Sequence, residues 1–293
     1  MPADARFDLH THTTASDGTL APAELVRQAK RLGLSGIAVT DHDTTAGWGE
    51  AETEGRRLGV EIVRGLEINT DATEGEFHFL GYLVDEASQP FQQAVRRARD
   101  ARWTRARAIV GRLRAAGIRV TDDDVLAVAN GAPVCRPHIA VALAAAGYAA
   151  TDHDAFNRYL RGRSPFFVPH TGLTVSEAIA AIRAAGGVPV LSHPGNLPVE
   201  AVLALTSLGL AGVEAYHPDH SLDIAAQWHR VAHRHGLVAT GGSDFHGVDS
   251  VEPDRVLGAF LAPDGAVEAL RAAQERLERG ASLSRRKTCD GAA

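Results

Sequence analysis

Cysteine is nearly absent from this chain: Cys135 and Cys289 are the only two among 293 residues. That excludes a disulfide framework and a zinc site built on thiolates. Aromatic residues are scarce, at 5%, and no stretch approaches the ~18 uninterrupted apolar residues of a membrane span. Positive charge is also short. The formal net charge of −6 argues against partnership with long double-stranded nucleic acid or a membrane surface. The start, Met1-Pro2-Ala3-Asp4-Ala5-Arg6, has no apolar signal region, so a cytoplasmic protein is the simplest expectation, with a monomer as the default. What the chain does have is 45% hydrophobic residues, rich in Ala, Leu and Val. That is enough for one large α/β domain or two smaller ones.

Short apolar runs alternate with helical patterns. Arg6-Phe7-Asp8-Leu9 reads as a first strand and Ala21-Pro22-Ala23-Glu24 as a helix start with proline in its first turn. Gly36–Thr40 reads as a second strand, with a helix over roughly Trp48 to Leu58. Val60–Val63 then leads to Gly65–Ile68, and Gly75–Tyr82 alternates like a strand paired to it by a hairpin. From about Gln89 the texture turns helical as far as Leu160, then the rhythm resumes: helix Val175–Ala185, strand Val188–Leu191, helix Glu200–Leu208, strand Gly212–Ala215, helix Leu222–His235, strand Leu237–Thr240 and helix Gly265–Arg279. Repeated β-then-α units imply parallel strands with right-handed crossovers, and in such barrels chemistry sits at the C-terminal strand ends. The expected architecture is a barrel of residues 1–88 and 166–280, an inserted helical subdomain at 89–165 that caps the active site, and a disordered tail at 281–293.

The 14 histidines are not scattered evenly. His153, His229, His233 and His235 sit among polar helical positions. The others follow apolar runs and stand beside Asp, Gly or Pro. His10-Thr11-His12 places two imidazoles on one face of a strand, and Asp17 follows in a turn. Asp41-His42-Asp43, Glu67, His78, Ser192-His193-Pro194 and Ser243-Asp244-Phe245-His246 occupy other strand ends. The candidates are therefore His10, His12, Asp17, His42, Glu67, His78, His193, Asp244 and His246. Imidazoles and carboxylates without thiolates suit Mn²⁺, Fe²⁺ or Zn²⁺. Nine ligands exceed the need of one ion, so two or three ions are expected, with Glu67 as the bridging carboxylate. A hydroxide bridging two ions would form near neutral pH, and Asp41 and Asp43 are candidates to orient His ligands from behind. Each residue alone has an ordinary alternative, such as a turn cap, a loop histidine or an ion pair.

Taken in order, these motifs resemble the PHP (polymerase and histidinol phosphatase) family. The resemblance implies a distorted (β/α)7 TIM-like barrel and commonly three Mn, Fe or Zn ions, Mn first among them. It assigns His10, His12, Glu67 and Asp244 to one ion, Glu67, His78 and His193 to a second, and Asp17, His42 and His246 to a third. Asp17 and His42 thereby fall at the catalytic centre.

The long helix of the insert carries Phe91, Val95, Ala98, Ala106, Ile109 and Leu113 at helical spacing. Arg102 interrupts that stripe, with Arg99 and Arg105 a turn to either side. A buried arginine needs an anionic partner; a substrate phosphate is one reading, and an internal ion pair or a solvated face is the other. Arg136-Pro137-His138-Ile139-Ala140 opens a later helix. Both features resemble one branch of the family, the phosphatases of nucleoside 3′,5′-bisphosphates and the 5′-to-3′ exoribonucleases of short RNA. By that similarity Arg99, Arg102 and Arg136, with His138 beside them, would bind the second phosphate of a nucleotide or short oligoribonucleotide. His220 is a candidate for phosphate contact or leaving-group protonation, or merely a residue at a helix start. Two other functions compete: a phosphomonoesterase of the histidinol-phosphate type, and a non-catalytic interaction module.

Overall fold

The computed structural model describes residues 5–71 and 77–290, and of 281–290 the backbone only. The first four residues lie outside it, as do Gly75 and Glu76 at the expected start of the fourth strand. Seven strands form one sheet in sequence order: β1 (Phe7–Thr11), β2 (Gly36–Val39), β3 (Glu61–Asn69), β4 (His78–Tyr82), β5 (Val188–Leu191), β6 (Gly212–Tyr216) and β7 (Val238–Gly241). The sheet closes through a parallel bridge between Thr11 and Phe245, where the His12 N–H donates to the Phe245 carbonyl at 2.8 Å. The expected seven-stranded barrel is thus what forms.

All neighbours pair in parallel except β4, which runs antiparallel to both β3 and β5. Asn69 at the end of β3 pairs with His78 at the start of β4. His78 therefore reaches the common rim from the beginning of its strand, whereas His10 and Glu67 stand near the ends of β1 and β3 and the other candidates follow strand ends.

Side chains alternate along a strand, and here both faces are buried. Phe7, Leu9, Ala38, Val63, Leu80, Val190 and Val238 fill one cluster, closed from below by Ala266, Val267, Leu270 and Ala273 of the last helix. The Tyr82 hydroxyl donates across it to the Leu9 carbonyl at 2.7 Å. Outside the strands pack α1 (Pro22–Arg31), α2 (Trp48–Leu58), α7 (Val175–Ala184), α8 (Val199–Ala204, extended by a 3₁₀ turn to Leu208) and α9 (Leu222–His235). The last helix, α10, runs Ala266–Asp290, so the tail expected from residue 281 is helical to Asp290. None of the described helices is long and apolar enough to cross a membrane.

Between β4 and α7 stand α3 (Gln89–Ala115), α4 (Asp122–Ala129), α5 (Arg136–Ala145) and α6 (Asp152–Ala155), the last continued by a π-helical turn, Phe156–Leu160. The long α3 belongs to two cores. Phe91, Ala94 and Ala98 pack on the barrel, while Ala106, Ile109, Val110 and Leu113 join a separate cluster with α4 and α5. Arg102 sits at the junction. Phe166 and Val168 still pack on the insert's core and Leu173 on the barrel's, so the chain returns to the barrel between 168 and 173.

Candidate metal centre

At the rim, Glu67 is buried to 1% exposure and its two carboxylate oxygens face different imidazoles. Oε1 lies 3.0 Å from His78 Nδ1 and 3.3 Å from His193 Nε2. Oε2 lies 3.3–3.4 Å from His10 Nε2, His12 Nε2 and His42 Nδ1. Asp244 Oδ1 completes that second group, 3.2 Å from His10 and 3.1 Å from His12. On the far side of His42, the Asp17 carboxylate faces His42 Nε2 at 4.0 Å and His246 Nε2 at 3.6 Å. Among the described residues five groups have donor atoms within 4.8 Å of one another. Three of them hold the nine candidates: His10, His12, Glu67 and Asp244; Glu67, His78 and His193; and His12, Asp17, His42 and His246. The others are His10, Glu214 and His217, and Asp244, His246 and Glu252. All nine sequence candidates come together, and Glu67 is shared by two groups.

The donor set fits divalent cations on two grounds. First, His12 Nδ1 and Nε2, Asp17 Oδ1, His42 Nδ1 and Asp244 Oδ1 are buried without a hydrogen-bond partner. Buried polar atoms without partners are costly, and a cation answers lone pairs that converge. Second, the acids are ionised where they lie. Burial favours the neutral acid, yet the imidazoles of His10, His42 and His78 hold Glu67 well below the carboxylate range. Asp17 and Asp244 are likewise lowered against burial, Asp17 by His42, His246 and His12, Asp244 by His10, Arg255 and His246. Burial would discharge His12, but the Asp244 and Glu67 carboxylates push it up to about 9. Burial and the Arg102 charge push the His42 imidazole well below its usual range, against the pull of Asp17 and Glu67. The centre thus calls for positive charge, from protons or from metal, and metal binding displaces those protons.

The backbone is bent to gather these groups. Asp43, His193 and Asp244 adopt positive φ of 50°, 26° and 50°, a region costly for residues other than glycine. Gly242 passes so close to the first strand that a Cβ there would meet His10 N at 2.3 Å.

Supporting contacts differ from those expected. Glu214 accepts from His10 Nδ1 at 3.0 Å and from the His193 N–H at 2.9 Å, and His10 holds its carboxyl down to about 2 against burial. This orienting role had been expected of Asp41 and Asp43, and neither performs it. Asp41 instead fastens the turn that carries Asp17, accepting from the Thr13 N–H and hydroxyl, both at 2.7 Å, and from the Ser16 hydroxyl at 2.6 Å. Asp43 pairs with Arg102. Sequence reasoning also passed over Arg255, whose Nη1 lies 2.6 Å from Asp244 Oδ2. The signal for Glu214 was present, since an acid in the apolar strand Gly212-Val213-Glu214-Ala215 must face a partner inside the fold. Arg255 lies in a loop with no period and gave none.

Above the rim lies a cleft of about 170 Å³ between barrel and insert. Arg102 and Arg136 line it; Arg99 and His138 do not. Arg102 donates to Asp43, to Asn69 Oδ1 and, at 3.1 Å, to Cys135 Sγ. It therefore has internal partners already, and Asn69 in turn contacts His78 Nε2. Arg136 is half-buried, its guanidinium 5.4 Å over the Phe156 ring. Arg99 is exposed and, among the described residues, reaches only the Gly131 carbonyl, at 3.3 Å. His138 has no ring nitrogen to offer a ligand: Nδ1 accepts from the Cys135 N–H at 3.0 Å and Nε2 donates to the Ser16 carbonyl at 3.1 Å. It ties the insert to the Asp17 turn. His220 is committed in the same way, with Nδ1 donating to the Ala215 carbonyl at 2.8 Å and Nε2 accepting from the Gly195 N–H at 3.0 Å. The expected proton donation by His220 finds no free nitrogen.

Comparison with known proteins agrees with this geometry. The PHP domain profile matches residues 8–112. The 5′-3′ exoribonuclease Rnm of Salmonella typhimurium is 35% identical over 254 residues, covering 82% of this chain and 85% of that protein. The 3′,5′-nucleoside bisphosphate phosphatase of Chromobacterium violaceum is 32% identical over 249 residues, covering 83% and 87%. Among solved structures, one from Bifidobacterium adolescentis assigned as a metal-dependent phosphoesterase superposes with a TM-score of 0.85 at 36% identity, covering 91% and 96%.

Proposed function

The chain belongs to the PHP-domain family, and from that premise we propose that it is a metal-dependent phosphoesterase of nucleotides. It removes the 3′-phosphate of nucleoside 3′,5′-bisphosphates, releases nucleotides from the 5′ end of short RNA, or does both. The observation that carries this reading is the pairing of two features in one cleft: converging acids and imidazoles on the barrel side, and Arg102 with Arg136 on the insert side. The names of the relatives favour the same substrates.

We assign three divalent ions, with Mn²⁺ first, to the three ligand groups, Glu67 being common to two of them. Ions held there lower the pKa of bound water and neutralise phosphate charge. The protein's own groups do the rest. Glu214 fixes the His10 ring so that Nε2 faces inward, and Arg255 with His217 holds Asp244 Oδ2 so that Oδ1 does. Asp41 secures Asp17 through its turn. Arg136, which has no ion pair among the described residues, receives the second phosphate through a fork of charged donors, and Arg102 adds positive potential from behind. A histidinol-type monoester carries an amine in place of a second phosphate and gains nothing from these arginines. Cys135, a buried thiol against Arg102, suits a reducing compartment such as the cytoplasm.

The test is phosphate release, with added Mn²⁺, from adenosine 3′,5′-bisphosphate, AMP, histidinol phosphate and a 5′-phosphorylated trinucleotide. The bisphosphate or the trinucleotide is expected to be turned over best. Superior turnover of histidinol phosphate would reject the reading, and so would fewer than two ions per chain with no hydrolysis.

A further inference from the structure

The insert carries charge that the cleft does not use. Where the π-helical turn ends, Arg158, Arg161 and Arg163 line a groove of about 560 Å³ together with Asn157 and Ser164. All three arginines are exposed, and no acid lines the groove. Arg158 donates to the Asp154 carboxylate at 3.2 Å, whereas Arg161 and Arg163 have no ion pair among the described residues. Cations crowded without acids repel one another and favour a polyanion as partner. The turn that presents them is fastened. Leu160 and Phe166 anchor its ends in the insert's core, the Ser164 N–H donates to the Arg161 carbonyl at 2.8 Å, and the Ser164 hydroxyl donates to the Tyr159 carbonyl at 2.5 Å.

Two observations narrow the kind of polyanion. The groove adjoins the cleft, because Phe156, on the cleft wall beneath Arg136, immediately precedes Asn157 of the groove on one helical turn. Positive charge thus continues from the cleft onto the exposed face of the insert. The groove also offers no large apolar or aromatic side chain. A membrane-surface site pairs its cations with an apolar face that enters the lipid, and base stacking needs an aromatic ring. Guanidinium donors alone suit the phosphates of a flexible single strand, contacts that fix position and carry no sequence information.

We propose that this groove docks the RNA backbone downstream of the scissile nucleotide, holding the 3′ body of a single strand whose 5′ end lies at the metal centre. The inference rests on the phosphoesterase reading above and takes it further: an RNA long enough to reach the groove is held better than a trinucleotide. Each phosphate held releases condensed counterions, so docking has a signature that a merely solvated arginine face lacks. The dependence of log(kcat/KM) on log[salt] steepens by about 0.7 for each phosphate neutralised on a single strand.

The experiment uses the full chain with added Mn²⁺ and 5′-phosphorylated trinucleotide and decanucleotide RNA, between about 50 and 200 mM KCl. At low salt the decanucleotide is expected to show a KM about 5- to 30-fold below that of the trinucleotide, with a salt slope steeper by about 1–2. Arg161→Gln combined with Arg163→Gln should remove most of both differences and leave hydrolysis of the trinucleotide and of adenosine 3′,5′-bisphosphate unchanged. Arg161→Lys combined with Arg163→Lys keeps the charge and should keep most of the advantage, which separates docking from a change in the loop's shape. Equal KM for the two RNAs overturns the proposal, as does an equal loss on both in the glutamine variant, or an advantage that survives there or vanishes as fully in the lysine variant. So does a glutamine variant that loses binding to phosphatidylserine vesicles and keeps RNA, since the face would then be a membrane surface. Should no RNA be hydrolysed, the functional reading fails separately. The groove is then judged by fluorescence anisotropy of a 3′-labelled decanucleotide, where equal binding by the wild type and the glutamine variant overturns it.

Discussion

The barrel and its helical insert are opposites in charge. Residues 89–165 hold thirteen arginines against six aspartates, a net of +7, which leaves −13 for the rest of a chain whose total is −6. The acidic body gathers cations and the basic insert gathers anions, so the cleft between them is a place where phosphate and metal meet. The two sides also differ in how they hold their groups. Barrel ligands stand on strand ends with bent backbone and buried second partners. Most insert arginines are on exposed helix faces, and only Arg102, Arg105 and Arg136 turn toward the cleft. One side is fixed by architecture and the other selects by reach.

The strongest way to break this contrast is to remove the shared acid. Glu67→Gln should lower kcat by about 10³-fold or more, since it disturbs two ligand groups at once. Elemental analysis should show fewer bound ions per chain, and an unchanged metal content would refute the bridging role. Next comes the junction itself. Arg102→Met leaves Asp43 buried without its partner, a loss of about 3–5 kcal/mol in denaturant unfolding. Adding Asp43→Asn should return part of that stability, and no recovery would mean the ion pair is not what holds the junction. A smaller effect tests the insert as anion receiver. Arg136→Ala should raise KM for the bisphosphate about tenfold or more and for a simple monoester much less. Equal changes on both would remove Arg136 from second-phosphate binding. The smallest concerns His220. His220→Gln should leave the pH profile of kcat in place while costing about 1–3 kcal/mol of stability through orphaned backbone groups. Loss of one limb of the profile would restore it as a proton donor.

Much of the barrel side was legible in the sequence, for a physical reason. A strand that feeds a parallel barrel must end at the same rim as its neighbours, so an imidazole or acid just past an apolar run has a defined destination. His10, His12, Glu67, His193 and Asp244 announced themselves that way. His78 belonged with them for a different reason, because β4 runs backwards and begins where the others finish. The insert was less readable. Its helical period marked Arg102 as buried but could not say whether a substrate or Asp43 would answer it, since that depends on a residue 59 positions away. His138 looked like a substrate contact and His220 like a phosphate contact or proton donor, because a sequence does not display backbone carbonyls. Asp41 and Asp43 stood beside a ligand in sequence, yet the side chain that steadies His10 comes from β6.

The positive φ angles at Asp43, His193 and Asp244 have a further consequence for the molecule's stability. Each such residue stores about 1–3 kcal/mol, so the three work against a net stability that in proteins of this kind is small. Glycine at His193 would relax the chain at the loss of one imidazole, whereas at Asp43 or Asp244 it would also strand the arginine that the carboxylate pairs with. Three bends at one rim, each on a residue whose side chain serves the centre or its arginines, are a standing load that the surrounding packing must carry.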